Sequence, residues 1–136
     1  MATTAIEPDK KVRKRLGAEL IMWLTTVGSN HKPHAVPVWF LWDGSSFLIY
    51  SLPGQKVRDI EGNANVELHF NTDRSGDLVT RFEGVAEVLA DQPPANRVPK
   101  YLAKYRDRIK GYGWTPKSFA DQYHVAIRVR PTRLRA

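Results

Sequence analysis

Apolar and polar positions change rhythm several times along this chain, and each change marks an element. Val12, Leu16 and Leu20 fall four apart and form one narrow apolar stripe within residues 1–20. Glu7-Pro8-Asp9 stands where such a helix would start. Strand character begins near Ile21, in "LIMWLTTV", and stops at the turn residues Gly28-Ser29-Asn30. A second apolar run covers 34–42, "HAVPVWFLW". Its Pro37 cannot donate to a ladder, so it belongs at an edge, at a bulge, or where a ligand faces the backbone. Asp43-Gly44 signals a two-residue hairpin turn into "SFLIYS", and the Pro53-Gly54 loop leads to a short helix over 56–62.

The alternation in 65–70 puts Val66, Leu68 and Phe70 on one side and Glu67 and His69 on the other. A loop at 71–77 precedes a long strand, 78–90, with Gly84 inside it as a bulge or point of close approach. Pro93-Pro94 opens a helix over 95–110, with Val98, Leu102, Tyr105 and Ile109 at helical spacing. "GYGWTP" ends it, "KSFADQ" is a helical turn, and 123–134 is a last alternating strand. Six short strands, mostly in sequential hairpins, with few helices, predict a mainly β fold: a six-stranded antiparallel barrel with helices packed outside.

The length of 136 residues predicts a single domain, with a helix within 1–20, a barrel core over 21–90, a helical segment over 93–119 and a last strand. With no cysteine, disulfides, zinc thiolate sites and a cysteine nucleophile are excluded, and a reducing cytoplasm is the expected compartment. No run approaches ~20 apolar residues, and the first fifteen residues do not read as a secretory signal. The four histidines, His31, His34, His69 and His124, lack metal-ligand spacing, so no metal is expected. Asp59 and Glu61 read as a solvated helix face. No Ser-His-Asp order or glycine-rich nucleotide fingerprint is present.

Charge adds a partner class. The net charge is +7, and residues 97–136 hold eleven basic side chains against two acidic ones. Such a field suits an anionic partner: a phosphorylated cofactor, a polyanionic tail, or nucleic acid.

The order "KPHAVPVWFLWDGSSFLIYS…QK…N…NVELHF…RFEGVAEVL" resembles the flavin-binding split β-barrel superfamily. That superfamily contains pyridoxamine 5′-phosphate oxidase and short actinobacterial proteins that use the deazaflavin coenzyme F420. The C-terminal "KYRDRIKGYGWTPKSFADQYHVAIRVRPTR" is similar to the short F420 subgroup. The resemblance implies a split barrel and a homodimer with its cofactor at the subunit interface. It implies that Tyr50, Ser51 and Lys56, with Gln55 and Arg58 beside them, hold the cofactor phosphate. It also implies that Pro37, Val38 and Trp39 line the ring, and that Tyr112 and Trp114 reach the ring of the neighbouring subunit. Elementary chemistry agrees at Lys56, because a phosphate wants a point cation, a hydroxyl and the amides of a helix start. Lys100, Lys104, Arg106, Arg108 and Lys110 would steer the anionic tail of F420.

The oxidases carry Arg-Lys where this chain has Gln55-Lys56, and a glutamine where it has Val79-Thr80-Arg81. The function expected is therefore F420-dependent hydride transfer to a small organic acceptor. An FMN oxidase or reductase on the same fold, or a basic nucleic-acid-binding barrel, stands as the alternative. No side chain stands out as an obligatory acid; Tyr112 or solvent could supply a proton.

Overall fold

The computed structural model describes residues 6–136. The expected N-terminal segment therefore has its first five residues outside the described part. Helix α1, Lys10–Ala18, starts at Asp9, whose carboxylate accepts from the amide of Val12 at 2.9 Å. It buries Val12 and Leu16 and turns its lysines outward. The strands are β1 Met22–Val27, β2 Pro33–Val38, β3 Leu41–Trp42, β4 Phe47–Ser51, β5 Asn65–His69, β6 Arg81–Leu89 and β7 Val125–Arg135. They form one antiparallel sheet in the order β2-β1-β5-β6-β7-β4-β3.

The edges of this sheet are β2 and β3, yet only Trp39 and Phe40 join them. Three Cα–Cα steps span at most about 11 Å. The sheet must therefore curl until its two edges nearly meet, giving the split barrel. The expected six strands become seven because the 34–42 run breaks at this link. The Phe40 amide donates to the Tyr105 hydroxyl at 2.8 Å, and the Phe40 carbonyl accepts from Lys104 Nζ at 3.0 Å. A helix, not a neighbouring strand, takes the backbone there.

Strand β4 is buried on both faces. Phe47 and Ile49 point into the barrel with Met22, Leu24, Leu68, Phe82 and Ile127. Leu48 and Tyr50 point outward, into a second core under α3, Pro99–Gly111, and α4, Pro116–Gln122. That explains why its sequence is a continuous apolar run rather than an alternation.

Three boundaries differ from expectation. The turn after Trp42 takes residues 43–46 and centres on Gly44-Ser45 rather than Asp43-Gly44, with the Asp43 amide donating to the Ser46 carbonyl at 3.1 Å. Strand β6 begins at Arg81, and Leu78 and Val79 stay exposed. The 95–110 helix is two pieces, a 3₁₀ turn at Ala95–Arg97 and then α3, because Pro99 forces Val98 into an extended conformation and then sits at N1. Pro37 does lie on an edge strand, opposite Trp23. Gly84 faces a bulge in β7: Glu83 pairs with Arg133 and Gly84 with Pro131, leaving Thr132 over.

Candidate functional site

Helix α2, Gln55–Gly62, follows β4 after a short loop, and Gly54 caps it without any side-chain hydrogen bond. Its first-turn amides are left without a side-chain partner. Lys56, in that first turn, reaches back to the last residue of β4 and donates to Ser51 Oγ at 2.8 Å. Ser51 passes its own proton to the Leu52 carbonyl at 2.6 Å. Burial pushes the Lys56 ammonium below the ordinary lysine value, and no acidic group pulls it back. Among the described residues Lys56 enters no ion pair. Lys56 is thus a half-buried cation without a counter-ion among the described residues.

Lys56 and Ser51 line one end of a cavity of roughly 280 Å³. Pro37, Val38 and Trp39, at the end of β2, form one wall. Tyr112 and Trp114, after α3, form another, and Phe119 on α4 and Tyr123 at its C-cap complete it. Trp39 is held flat by stacking on Tyr105, with centroids 4.8 Å apart and planes 1° from parallel, and on Phe119 at 5.3 Å. Tyr112 stacks on Trp114 at 4.8 Å, and Phe119 on Tyr123 at 4.7 Å. The walls are thus broad π faces around one cation, Lys56, and the Ser51 hydroxyl.

Of the residues singled out in the sequence, Pro37, Val38, Trp39, Tyr50, Ser51, Lys56, Tyr112 and Trp114 meet at this cavity. Tyr112 and Trp114 line the cavity of their own chain. Tyr50 contributes its surface but not its hydroxyl, which donates to the Pro93 carbonyl. Gln55 and Arg58 do not line it. They border a second, polar cavity of roughly 330 Å³ near the β1–β2 turn. Gln55 donates to Asp59 Oδ1 at 2.6 Å, and Arg58 to Gln55 at 3.2 Å.

Two expectations about charge are corrected. Asp59 is no solvated helix residue: its side chain is 1% exposed. Burial acts to raise its pKa, but hydrogen bonds from Gln55, His34 and Thr26, with the charge of His34, hold it below the usual carboxylate value. Lys104 is no tail-steering cation. Its Nζ lies 3.6 Å from the Phe40 ring centroid and donates to the Leu16 and Phe40 carbonyls, tying α3 to the barrel. Burial pushes its pKa to about 8, against an upward pull from Glu19.

Phe119 and Tyr123 went unrecognised in the sequence. Their four-residue spacing over a helical turn was the available signal. No group of three metal-ligating side chains occurs among the described residues. No helix among them is long and apolar enough to cross a membrane.

A family model described as pyridoxamine 5′-phosphate oxidase matches residues 8–136. No curated protein matches the chain. Solved structures share the fold at low identity. A conserved hypothetical protein of Mycobacterium tuberculosis superimposes with a TM-score of 0.74 at 19% identity, over 96% of this chain and 84% of that one. A protein described as an F420 reductase gives 0.69 at 23%, over 95% and 98%. HutZ, described as the heme storage protein from Vibrio cholerae, gives 0.67 at 13%, over 96% and 95%. The two with described roles differ in them on one architecture, so the likeness is one of fold.

Proposed function

The chain belongs to the pyridoxamine 5′-phosphate oxidase family, and from that premise we propose that it is a cytoplasmic, homodimeric oxidoreductase that uses coenzyme F420. The observation that carries this reading is Lys56, a half-buried cation with no acidic partner, set beside a hydroxyl at the end of an aromatic cavity. Such a cation is matched by an anion on a flat, apolar ligand.

When bound, the coenzyme supplies hydride from its reduced deazaflavin ring to a small organic acceptor. The protein's part is to bind, orient and exclude water. Lys56 would hold the phosphodiester, with the uncapped amides of α2 beside it, while Ser51, whose proton goes to the Leu52 carbonyl, sets the position of the ammonium. Trp39 gives the ring a fixed face, and Tyr112 and Trp114 flank it. The cavity is slightly below the roughly 300–1,000 Å³ range of ligand sites. The cavity has room for one ring system, and the acceptor would approach from its open side, which a second subunit would cover. The ionisable groups lining the cavity are Lys56 and the tyrosines Tyr50, Tyr112 and Tyr123. With Tyr50 committed to Pro93, a proton for the product comes from Tyr112, Tyr123 or solvent.

A single lysine suits a singly charged phosphodiester better than the doubly charged phosphate of FMN. The basic C-terminal third suits the glutamate tail of F420. FMN is the second reading, favoured by the uncapped α2 amides, which offer the extra donors a phosphomonoester takes. A nucleic-acid-binding barrel gains no support, because Tyr112 is the sole exposed aromatic among the described residues. Quenching of tryptophan emission on titration with F420 and with FMN tests the order. Tighter binding of F420 is expected; tighter binding of FMN would reverse the assignment.

A further inference from the structure

We propose that Asp59 is a positioning residue for Lys56: its buried carboxylate ties the first turn of α2 to β1 and β2 and so sets where the lysine ammonium stands. The inference rests on the reading of Lys56 as the phosphate cation.

Three elements converge on this carboxylate. Thr26 Oγ1, from β1, donates to Oδ2 at 2.7 Å. His34 Nδ1, from β2, lies 2.7 Å from the same oxygen. Gln55 Nε2, at the start of α2, donates to Oδ1 at 2.6 Å. Thr26 and His34 are direct partners in the β1–β2 register, so their side chains leave the sheet on one face, toward Asp59. Gly28 keeps the space open. A Cβ there would stand 3.1 Å from His34 Cε1 and 3.4 Å from Asp59 Oδ1.

A buried carboxylate is a poor device for stability alone, since desolvation offsets most of what its partners return. Its value here is directional. Helix α2 has eight residues, no side-chain cap, and only Asp59 and Ile60 buried. A helix this short does not hold its first turn unaided. The Gln55–Asp59 bond, within α2, holds the first turn to the carboxylate that Thr26 and His34 anchor to the barrel, and Lys56 is the residue after Gln55. Ile60 and the partly buried Val57 keep the helix docked on the barrel core, and the bonds from Thr26 and His34 to Asp59 add a directional restraint on its rotation. Rotation decides whether Lys56 meets Ser51 at 2.8 Å or swings away.

The test compares ligands with and without phosphate. FMN is titrated against riboflavin, and F420 against the deazaflavin that ends at its ribityl chain, by tryptophan quenching. The FMN-to-riboflavin ratio of affinities is the phosphate increment; the F420 ratio contains the same increment together with the contribution of its acidic tail, and only its change between variants is read. Lys56→Ala should remove most of it, leaving only what the α2 amides supply. Asp59→Asn should shrink it by about tenfold or more, the scale on which small misplacements act, while leaving affinity for the phosphate-free ligands unchanged. The double variant should be no worse than Lys56→Ala alone. A general loosening of the fold would instead weaken both members of each pair equally, and that result, or an intact increment in folded Asp59→Asn, overturns the proposal. Should Asp59→Asn fail to fold, Thr26→Val removes the β1 bond to the carboxylate at nearly constant volume; its increment must fall, and retention overturns the proposal. An increment undiminished in Lys56→Ala would sink the phosphate reading itself, an outcome distinct from survival in Asp59→Asn alone.

Discussion

Lys56 and Asp59 stand three positions apart on one short helix and differ in how they could be recognised. Lys56 was legible, because a lysine after a Pro-Gly loop and before a helix start has a local chemical meaning. Its pKa direction gives a sign. Only the protonated form binds an anion, and burial moves the titration below the ordinary 10.5. Affinity for a phosphate-bearing ligand should therefore hold near neutrality and fall as pH rises, before 10.5 is reached. Lys56→Arg, whose guanidinium keeps its proton, should carry binding further into alkali. Dissociation constants measured across that range check it; a pH-independent affinity in the wild type would separate Lys56 from the ligand. Asp59 was not legible. Nothing in "VRDIEG" marks a buried carboxylate, since its partners Thr26 and His34 lie 33 and 25 residues earlier. Burial of a polar group is decided by tertiary partners, which periodicity does not carry.

Elements were legible where a local rule fixed them and illegible where a distant group intervened. The alternation of β5 and the edge position of Pro37 follow from side-chain period and the missing proline donor. The break between β2 and β3 follows from Tyr105 and Lys104 of α3, some 65 residues on, and no local pattern announces it. Gly84 belongs to the first kind. A Cβ there would meet the Arg130 carbonyl at 2.8 Å and Val129 Cγ1 at 2.9 Å. Gly84→Ala must push β6 from β7 at the bulge, and a cost of about 1–3 kcal/mol is expected. A lowered urea midpoint reads it, and an unchanged midpoint would mean that the sheet gives way freely there.

For the whole molecule, a two-residue link between opposite sheet edges makes the barrel nearly closed. The same link places Trp39 where the end of β4, the start of α2 and the turn after α3 converge. The mainly β class could be read from hairpin signals; the cavity could not, because its walls come from four distant segments. The resemblance to the F420 subgroup joined most of those segments in advance, and the family match over residues 8–136 agrees with it at the level of fold. A crystal structure of the protein with F420 tests the central claim most directly. The account predicts a phosphodiester oxygen about 2.7–2.9 Å from Lys56 Nζ, the ring against Trp39, and a second subunit closing the open side. A phosphate bound away from Lys56, or a ring lying outside the aromatic cavity of a lone subunit, would contradict it.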